Sequence, residues 1–254
     1  MNKLTCLETY LTEDKNHYGS FLIEPLEIGQ GITLGNTLRR TLLSDLEGYA
    51  ISSIRINNIK HEFSAIYGLR EDVLELLLNL KEIILKDSCS SSRQNLSKKE
   101  LKGFLNIKGP AIITAGMFNL PENLITIVNP YQYICTITDN SELYIEIEIK
   151  KGKGYCLSDE NRKKSINKQF FKENEPTTLF LDTVFMPVRK VNYKVKLIHD
   201  SKGNIKESLY IEILTNSSIT PSRALKEAIK IMIKLYYSIF LNNNFLKISH
   251  NLIR

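Results

Sequence analysis

Hydrophobic residues recur with helical spacing between residues 32 and 46, the most regular pattern in the chain. Four leucines repeat every fourth residue on one face, and a fifth widens it: Leu34, Leu38, Leu42, Leu46 and Leu43. Gly48 follows and can take the left-handed conformation in which many helices end. Arg39 and Arg40 interrupt the stripe, and adjacent helical residues point about 100° apart. At most one arginine can border the buried face, so the other must point to solvent or to a partner.

A second helix is predicted over residues 70–85. Its apolar residues form two faces, one of Val73, Leu76, Leu77, Leu80 and Ile84 and another of Leu74, Leu78 and Leu85. A helix that is apolar on two faces is deeply buried or sandwiched between other elements. We therefore expect core packing for all of these leucines.

The last predicted helix has a clear start signal. Thr220 is a typical N-cap residue, and Pro221 suits the first helical position. A long apolar stripe follows: Leu225, Ala228, Ile229, Met232, Leu235, Tyr236 and Ile239. Such a stripe must be covered, either by the helix's own domain or by an oligomer interface.

Most of the remaining chain has strand patterns. Alternating or short apolar runs between turn signals occur at 18–23, 50–59, 104–149, 178–185, 188–198 and 209–214. Residues 1–20 have few apolar anchors and are expected to form a loose lead into the first strand. Polar runs at 86–102 and 158–175 predict an exposed Ser-rich insertion and a linker.

These breaks predict an α+β protein whose outer domain is built from both ends of the chain. Residues 1–48 and 176–254 would form that domain, with a sheet and two amphipathic helices. Residues 49–175 would form an inserted β-rich domain.

Gly29, Gly31 and Gly35 precede the first helix with the spacing G-x-G-x-x-x-G. A dinucleotide-binding loop requires G-x-G-x-x-G after a strand, and a P-loop ends in G-K-[ST]. Here the third glycine is one residue late, and no Lys-Ser or Lys-Thr pair follows. A turn, with Gly35 allowing close approach of a second backbone, is the favoured interpretation. A nucleotide-binding or stand-alone nucleic-acid-binding protein remains the alternative.

The amino-acid composition excludes few classes of protein and indicates no catalytic chemistry. The net charge of +6 permits contact with nucleic acid, but the charges are dispersed, with 34 Lys and Arg against 28 Asp and Glu. The four cysteines lack metal-site or disulfide spacing, and the four histidines fit no catalytic pattern. No signal peptide or membrane-spanning run is visible, so a soluble intracellular protein is expected.

Four blocks, in order along the chain, resemble the signatures of the bacterial-type RNA polymerase alpha subunit, amino-terminal domain. The first, EPLEIGQGITLGNTLRRTLL, covers residues 24–43, and HEFSAIYGLREDVLELLLNL covers 61–80. MPVRKVNYKV at 186–195 and IEILTNSSITPSRA at 211–224 complete the set. The order of four blocks is far more specific than the glycine pattern alone.

The resemblance implies an assembly scaffold for transcription of DNA into RNA. A homodimer would recruit the β and β′ subunits, and β″ in a plastid, while sigma factor and DNA would be met through the complex. The chain would be a non-catalytic subunit of a nucleotidyltransferase, with no cofactor of its own and Mg²⁺ held by the catalytic partners.

Residue roles follow from the same resemblance. The expected β-subunit contacts are Arg40, Leu43, His61, Glu62, Ser64, Gly68, Glu71 and Asp72. The expected β′-subunit contacts are Pro187, Val188, Arg189 and Tyr193, although core packing competes for Val188 and Tyr193. The expected dimer contacts are Leu34, Leu38, Leu42, Leu225, Ile229, Met232 and Tyr236.

Two departures from the family are visible. Lys196 stands where the family commonly has an acidic residue, so contacts near the β′ block are expected to differ. The family usually continues into a DNA- and activator-binding domain, whereas this sequence stops at Arg254. That end and the Lys-, Asn- and Ile-rich composition predict a plastid-encoded copy without the C-terminal domain, with a bacterial cytoplasm as the alternative.

Overall fold

The computed structural model describes residues 3–57, 59, 61–88, 101–121, 124–166, 178–199 and 203–241. The chain divides into two compact units. Residues 1–46 and 188–254 form the first, called here the terminal unit, and residues 47–187 form the second, the middle unit. Each unit combines strands with helices, so the α+β class predicted from the sequence is confirmed.

In chain order the elements are β1 (Lys3–Leu11), β2 (His17–Leu26), α1 (Gln30–Ser44), β3 (Glu47–Ile56), α2 (Val73–Lys81), β4 (Leu85–Asp87), β5 (Leu101–Lys108), β6 (Ala111–Thr114), β7 (Ile125–Ile127), β8 (Tyr133–Ile137), β9 (Glu142–Lys153), β10 (Tyr155–Cys156), α3 (Ser158–Ile166), β11 (Thr178–Phe180), β12 (Thr183–Val184), β13 (Val188–His199), β14 (Ile205–Thr215) and α4 (Pro221–Phe240). Among the helices described, none is both long and apolar enough to cross a membrane.

The terminal unit is an antiparallel sheet covered on one face by two helices. Its strand order is β1-β2-β14-β13. Helix α1 packs against β13 and β14, and α4 packs against β2 and β14. Helix α4 begins as predicted, because the Thr220 side chain accepts the N–H of Arg223 and Pro221 follows it. The core contains Phe21, Ile23, Leu38, Leu42, Leu209, Ile211, Ile213, Ala224 and Leu225.

Strand β1 corrects the expectation of a loose amino-terminal lead. It pairs antiparallel with β2, from Lys3 opposite Glu24 to Leu11 opposite His17, with one irregularity between Cys6 and Glu8. Nearly all of its side chains are exposed, so the segment has no alternating hydrophobic pattern. The backbone groups on the inner side of β1 are satisfied by the ladder with β2, which the sequence pattern does not reveal.

Helix α1 begins and ends earlier than the sequence pattern predicts. Gly29 precedes it with a φ of 88°, in the left-handed region, and the helix ends at Ser44. Gly48 is therefore not the helix stop. It lies in β3, where a Cβ would collide with the carbonyl oxygen of Phe185.

The middle unit is built on a sheet of order β5-β9-β3-β4-β7, with β11 paired to β3. Strand β9 alternates as predicted, and its inward side chains are Leu143, Ile145, Ile147 and Ile149. Helix α2 packs on β8 and β3. The core formed in this way also includes Ile51, Ile54, Ile56, Leu76, Leu80 and Leu105.

The boundary predicted at residue 176 is too early. The segment 178–187 belongs to the middle unit, because β11 pairs with β3 and β12 pairs with β10. Strands β4 and β5 take up the two ends of the predicted Ser-rich insertion, and residues 89–100 within it lie outside the described residues. Helix α3 begins the predicted linker, of which residues 167–175 are likewise outside the described residues.

Core packing was the wrong prediction for Leu74 and Leu78. They lie on the outer side of α2 and are 44% and 55% exposed. The opposite side of the helix is fixed to β8 by the Asn79 side chain, which donates to the carbonyl of Ile134 at 2.8 Å. Because only one side of α2 meets the sheet, the second apolar face is left uncovered within the middle unit.

Candidate subunit-interaction surfaces

The glycine loop before α1 binds a carboxylate of its own chain. The N–H of Gly29 donates to Glu207 Oε1 at 2.9 Å, and the N–H of Gly31 donates to Glu207 Oε2 at 2.7 Å. Glu207 is only 5% exposed. A negative group at a helix N-terminus is favoured by the helix dipole and the free N–H groups. Glu207 thus occupies the position where a phosphate would bind, which argues against the nucleotide-loop alternative.

Close packing of β13 side chains against α1 explains why Gly31 and Gly35 have no room for a side chain. A Cβ on Gly31 would lie 2.9 Å from a Val195 methyl carbon, and a Cβ on Gly35 would lie 2.6 Å from the Tyr193 ring. The Tyr193 ring, half-buried, therefore rests on α1. This contact supports core packing for Tyr193, the competitor to its predicted β′ contact.

The two adjacent arginines of α1 have different environments. Arg39 crosses to β13, where its guanidinium donates to the carbonyl of Val191 at 2.6 Å. Arg40 is exposed, and its guanidinium makes no hydrogen bond or ion pair with any residue that the structure describes. Leu43, the neighbouring β-contact candidate, is half-buried. Helix α1 thus presents one unpaired arginine on a rigid, well-packed support.

The loop from 61 to 72 carries the other predicted β contacts. His61 and Glu62 are exposed, and Ser64 Oγ lies 3.1 Å from His61 Nδ1. The Val73 N–H donates to the Ser64 carbonyl, which fixes the loop to the start of α2. Gly68 has a φ of 80°. Its carbonyl oxygen accepts a hydrogen bond from the N–H of Thr138, just after β8, at an N···O distance of 2.8 Å.

Two aromatic residues of this loop were not indicated by the sequence pattern. Phe63 and Tyr67 are 77% and 88% exposed. Neither fits a helical or strand period, and this lack of a structural role was the available signal. Exposed aromatic side chains on a tethered loop are typical anchors of protein interfaces.

Glu71 is not available to a partner, contrary to its predicted β contact. It is buried, and its carboxylate accepts the backbone N–H of Thr136 at 2.8 Å and the hydroxyl of Tyr133. Burial and the bond to Glu71 raise the pKa of the Tyr133 phenol. Burial, reinforced by Glu71, raises the pKa of the Cys135 thiol to about 12. Glu71 therefore anchors the loop to β8, while Asp72, at the start of α2, is exposed.

The burial of the predicted β′ contacts shows which of them a partner could reach. Of the four β′ candidates, Pro187 and Val188 are buried and only Arg189 is exposed. Lys196, which departs from the family pattern, places its ammonium 4.8 Å from the centre of the Tyr210 ring, within cation–π range.

Three dimer candidates belong to the core of the terminal unit. Leu38 and Leu42 are 0% exposed, and Leu225 is also fully buried, so none has surface left for a second copy. The other candidates form a gradient along the helices: Leu34, Ile229 and Met232 are partly buried, whereas Tyr236 is exposed.

Comparison with known proteins identifies the class. The family model for the RNA polymerase Rpb3/RpoA insert domain matches residues 54–186, which lie within the middle unit. A DNA-directed RNA polymerase subunit alpha of Pyropia yezoensis is 44% identical over 237 residues, 93% of this chain and 70% of the relative. The subunit alpha of Phaeodactylum tricornutum is 43% identical, and the match covers 96% of this chain and 73% of the relative. That of Trichormus variabilis is 42% identical, and the match covers 92% of this chain and 69% of the relative. The chain belongs to the RNA polymerase alpha-subunit family, as the four sequence blocks predicted.

Proposed function

We propose that the chain is a homodimeric, non-catalytic scaffold on which the β and β′ subunits of an RNA polymerase assemble. Family membership supports participation in a multisubunit polymerase. In this proposal, Mg²⁺ and nucleotide chemistry belong to the partner chains, and sigma factor and DNA are reached through the complex.

The observation that carries the β-subunit contact is the contrast between Arg39 and Arg40. The first guanidinium is tied to β13, whereas the second is exposed and unpaired with the described residues. A guanidinium offers five donors in a planar fork and bonds carboxylates or carbonyls with directional strength. Because α1 is fixed by Glu207 and by its leucines, the backbone that carries Arg40 is held in place.

The loop from 61 to 72, in the middle unit, is a separate candidate surface for the β subunit, and it supplies apolar area. Phe63 and Tyr67 are its exposed aromatic side chains, and Leu74 and Leu78 are exposed on the helix that follows. Buried aromatic and arginine side chains commonly dominate interface energies, and surrounding apolar contacts exclude water from them. For the β′ subunit, the exposed Arg189 is the corresponding candidate.

The organisms of the relatives also indicate the compartment in which the chain would work. They include proteins from the alga Pyropia yezoensis and the cyanobacterium Trichormus variabilis. Together with the Lys-, Asn- and Ile-rich composition, this favours a plastid polymerase, with a bacterial cytoplasm as the alternative. In a plastid enzyme the partners would include β″.

Arg40→Ala should weaken capture of the β subunit at least tenfold while the chain remains dimeric. Loss of one hot-spot arginine commonly removes more than about 1.4 kcal/mol of binding free energy, which is a tenfold change. Purified β would be titrated against immobilised wild-type and variant chains, with light-scattering mass measured for each.

Arg162→Ala is a matched control, because Arg162 is an exposed arginine on α3. It should capture β as the wild type does. Equal capture of β by Arg40→Ala and wild type would refute the role of Arg40.

A further inference from the structure

The end of the loop from 61 to 72 runs beside β8 like a short strand. The N–H of Thr138 donates to the Gly68 carbonyl at 2.8 Å, and the N–H of Arg70 donates to the Thr136 carbonyl at 3.0 Å. An antiparallel bridge lies between these two bonds. The backbone of the loop is therefore tied to the side of β8 that does not pair with β6.

The side chain of Glu71 continues this pairing at the point where the backbone of the loop leaves β8. In an antiparallel pair, two opposed residues exchange two backbone hydrogen bonds. Arg70 and Thr136 make one of these, but the Thr136 N–H donates to Glu71 Oε2 at 2.8 Å instead of to a backbone carbonyl. The other carboxylate oxygen, Oε1, accepts the hydroxyl of Tyr133. One buried carboxylate thus binds two donors of β8.

The two exposed aromatic side chains of the loop lie beside its points of attachment. Phe63 precedes Ser64, whose carbonyl accepts the Val73 N–H at 3.3 Å, and Tyr67 lies just before the bonds to β8. Neither ring is held by burial, because both are exposed. Their positions therefore depend on the backbone of the loop, and Glu71 lies between its two attachments in sequence.

We propose that Glu71 is a positioning residue for β-subunit binding, which holds the loop in the conformation in which Phe63 and Tyr67 contact the partner. This inference rests on the β contact proposed above and gives Glu71 an indirect part in it. The carboxylate is buried and already bonded, so it acts through the loop and not by touching β. A loop that is ordered before association loses less conformational entropy on binding and therefore binds more tightly.

Two substitutions separate the hydrogen bonds of Glu71 from its charge. Glu71→Leu keeps a side chain of similar size but leaves the Thr136 N–H and the Tyr133 hydroxyl without their acceptor. Glu71→Gln also removes the charge, but its amide oxygen can accept the Thr136 N–H and its NH₂ group can donate to the Tyr133 oxygen. We expect Glu71→Leu to weaken capture of purified β about tenfold, as when one tenth of the molecules hold the loop in place. Glu71→Gln should stay within about twofold of wild type.

A double-mutant cycle shows whether Glu71 acts through the aromatic side chains. When Phe63→Ala and Tyr67→Ala are both present, the contacts that the loop positions are gone. Adding Glu71→Leu should then weaken β capture by less than about twofold, against about tenfold in the wild-type background. A general loss of stability would weaken capture equally in both backgrounds, and that result would overturn the proposal.

Amide hydrogen exchange of the free chain tests the loop without the β subunit. Residues 64–73 should exchange about tenfold faster in Glu71→Leu than in wild type, while the amides of β9 stay equally protected. Tyr133→Phe removes one of the two bonds and should shift exchange and β capture in the same direction, by about threefold. Glu142→Leu is the matched control, because Glu142 is an exposed carboxylate on β9 of the same unit, and it should match wild type in both measurements.

The outcomes distinguish this inference from the proposed function. If wild type captures β and Glu71→Leu captures it equally well, the positioning role is overturned and the β contact stands. If Glu71→Gln loses as much capture as Glu71→Leu, the charge itself is required and the positioning role is again overturned. A wild-type chain that captures no β would overturn the proposed function as well.

Discussion

Leu38→Ala should lower the free energy of unfolding by about 3–5 kcal/mol, the range measured for leucines deleted from well-packed cores. Leu38 is 0% exposed and lies in the core of the terminal unit with Phe21 and Leu209. Its removal leaves a cavity that the packed helix and sheet cannot fill. Urea unfolding of wild type and variant, at one protein concentration, measures the difference.

Leu78→Ala is the matched control, because Leu78 is also a helical leucine but is half exposed. It should cost less than about 1 kcal/mol. If Leu38→Ala left the stability unchanged but weakened self-association, Leu38 would lie in the dimer interface, as the family resemblance implies.

Glu207→Ala should lower the free energy of unfolding by about 3 kcal/mol. The substitution leaves the buried N–H of Gly31 without its acceptor, which costs about 1–3 kcal/mol, and it also removes the charge-assisted bond to the more exposed N–H of Gly29. Glu207→Gln should recover little of this loss, because one end of the amide would place a donor against an N–H. Thermal and urea unfolding would measure both variants.

Glu27→Ala serves as the control for charge alone. Glu27 pairs with Lys206 at the same end of the unit, but its side chain is mostly exposed. Exposed ion pairs contribute about 0–1 kcal/mol, so this variant should stay near wild type. Equal losses from Glu27→Ala and Glu207→Ala would show that Glu207 is not the specific anchor of the loop.

Elements with a strong local period were predicted from the sequence. The leucine repeat predicted α1, and the Thr220–Pro221 start signal predicted α4. Strict alternation of apolar and polar residues predicted β9. Strand β1 escaped prediction because its pairing depends on backbone groups, while its side chains are mostly exposed. A hydrophobic pattern reports burial of side chains and is silent about such an edge strand.

Long-range contacts limited prediction of the candidate surfaces. The acceptor for the glycine loop lies 176 residues away from Gly31, so no local motif could reveal it. Helical periodicity also cannot distinguish a stripe packed within the chain, such as Leu38, from one left exposed, such as Leu74. The family resemblance located the 61–80 block, yet only the structure separates the buried Glu71 from the exposed Phe63.

The mass of a complex reconstituted from this chain with purified β and β′ tests the scaffold proposal most directly. Native mass spectrometry or light scattering would measure that mass. The scaffold proposal predicts two copies of this chain with one β and one β′, and a stable dimer of the chain before the large subunits are added. A chain that remains monomeric and captures neither large subunit would contradict it.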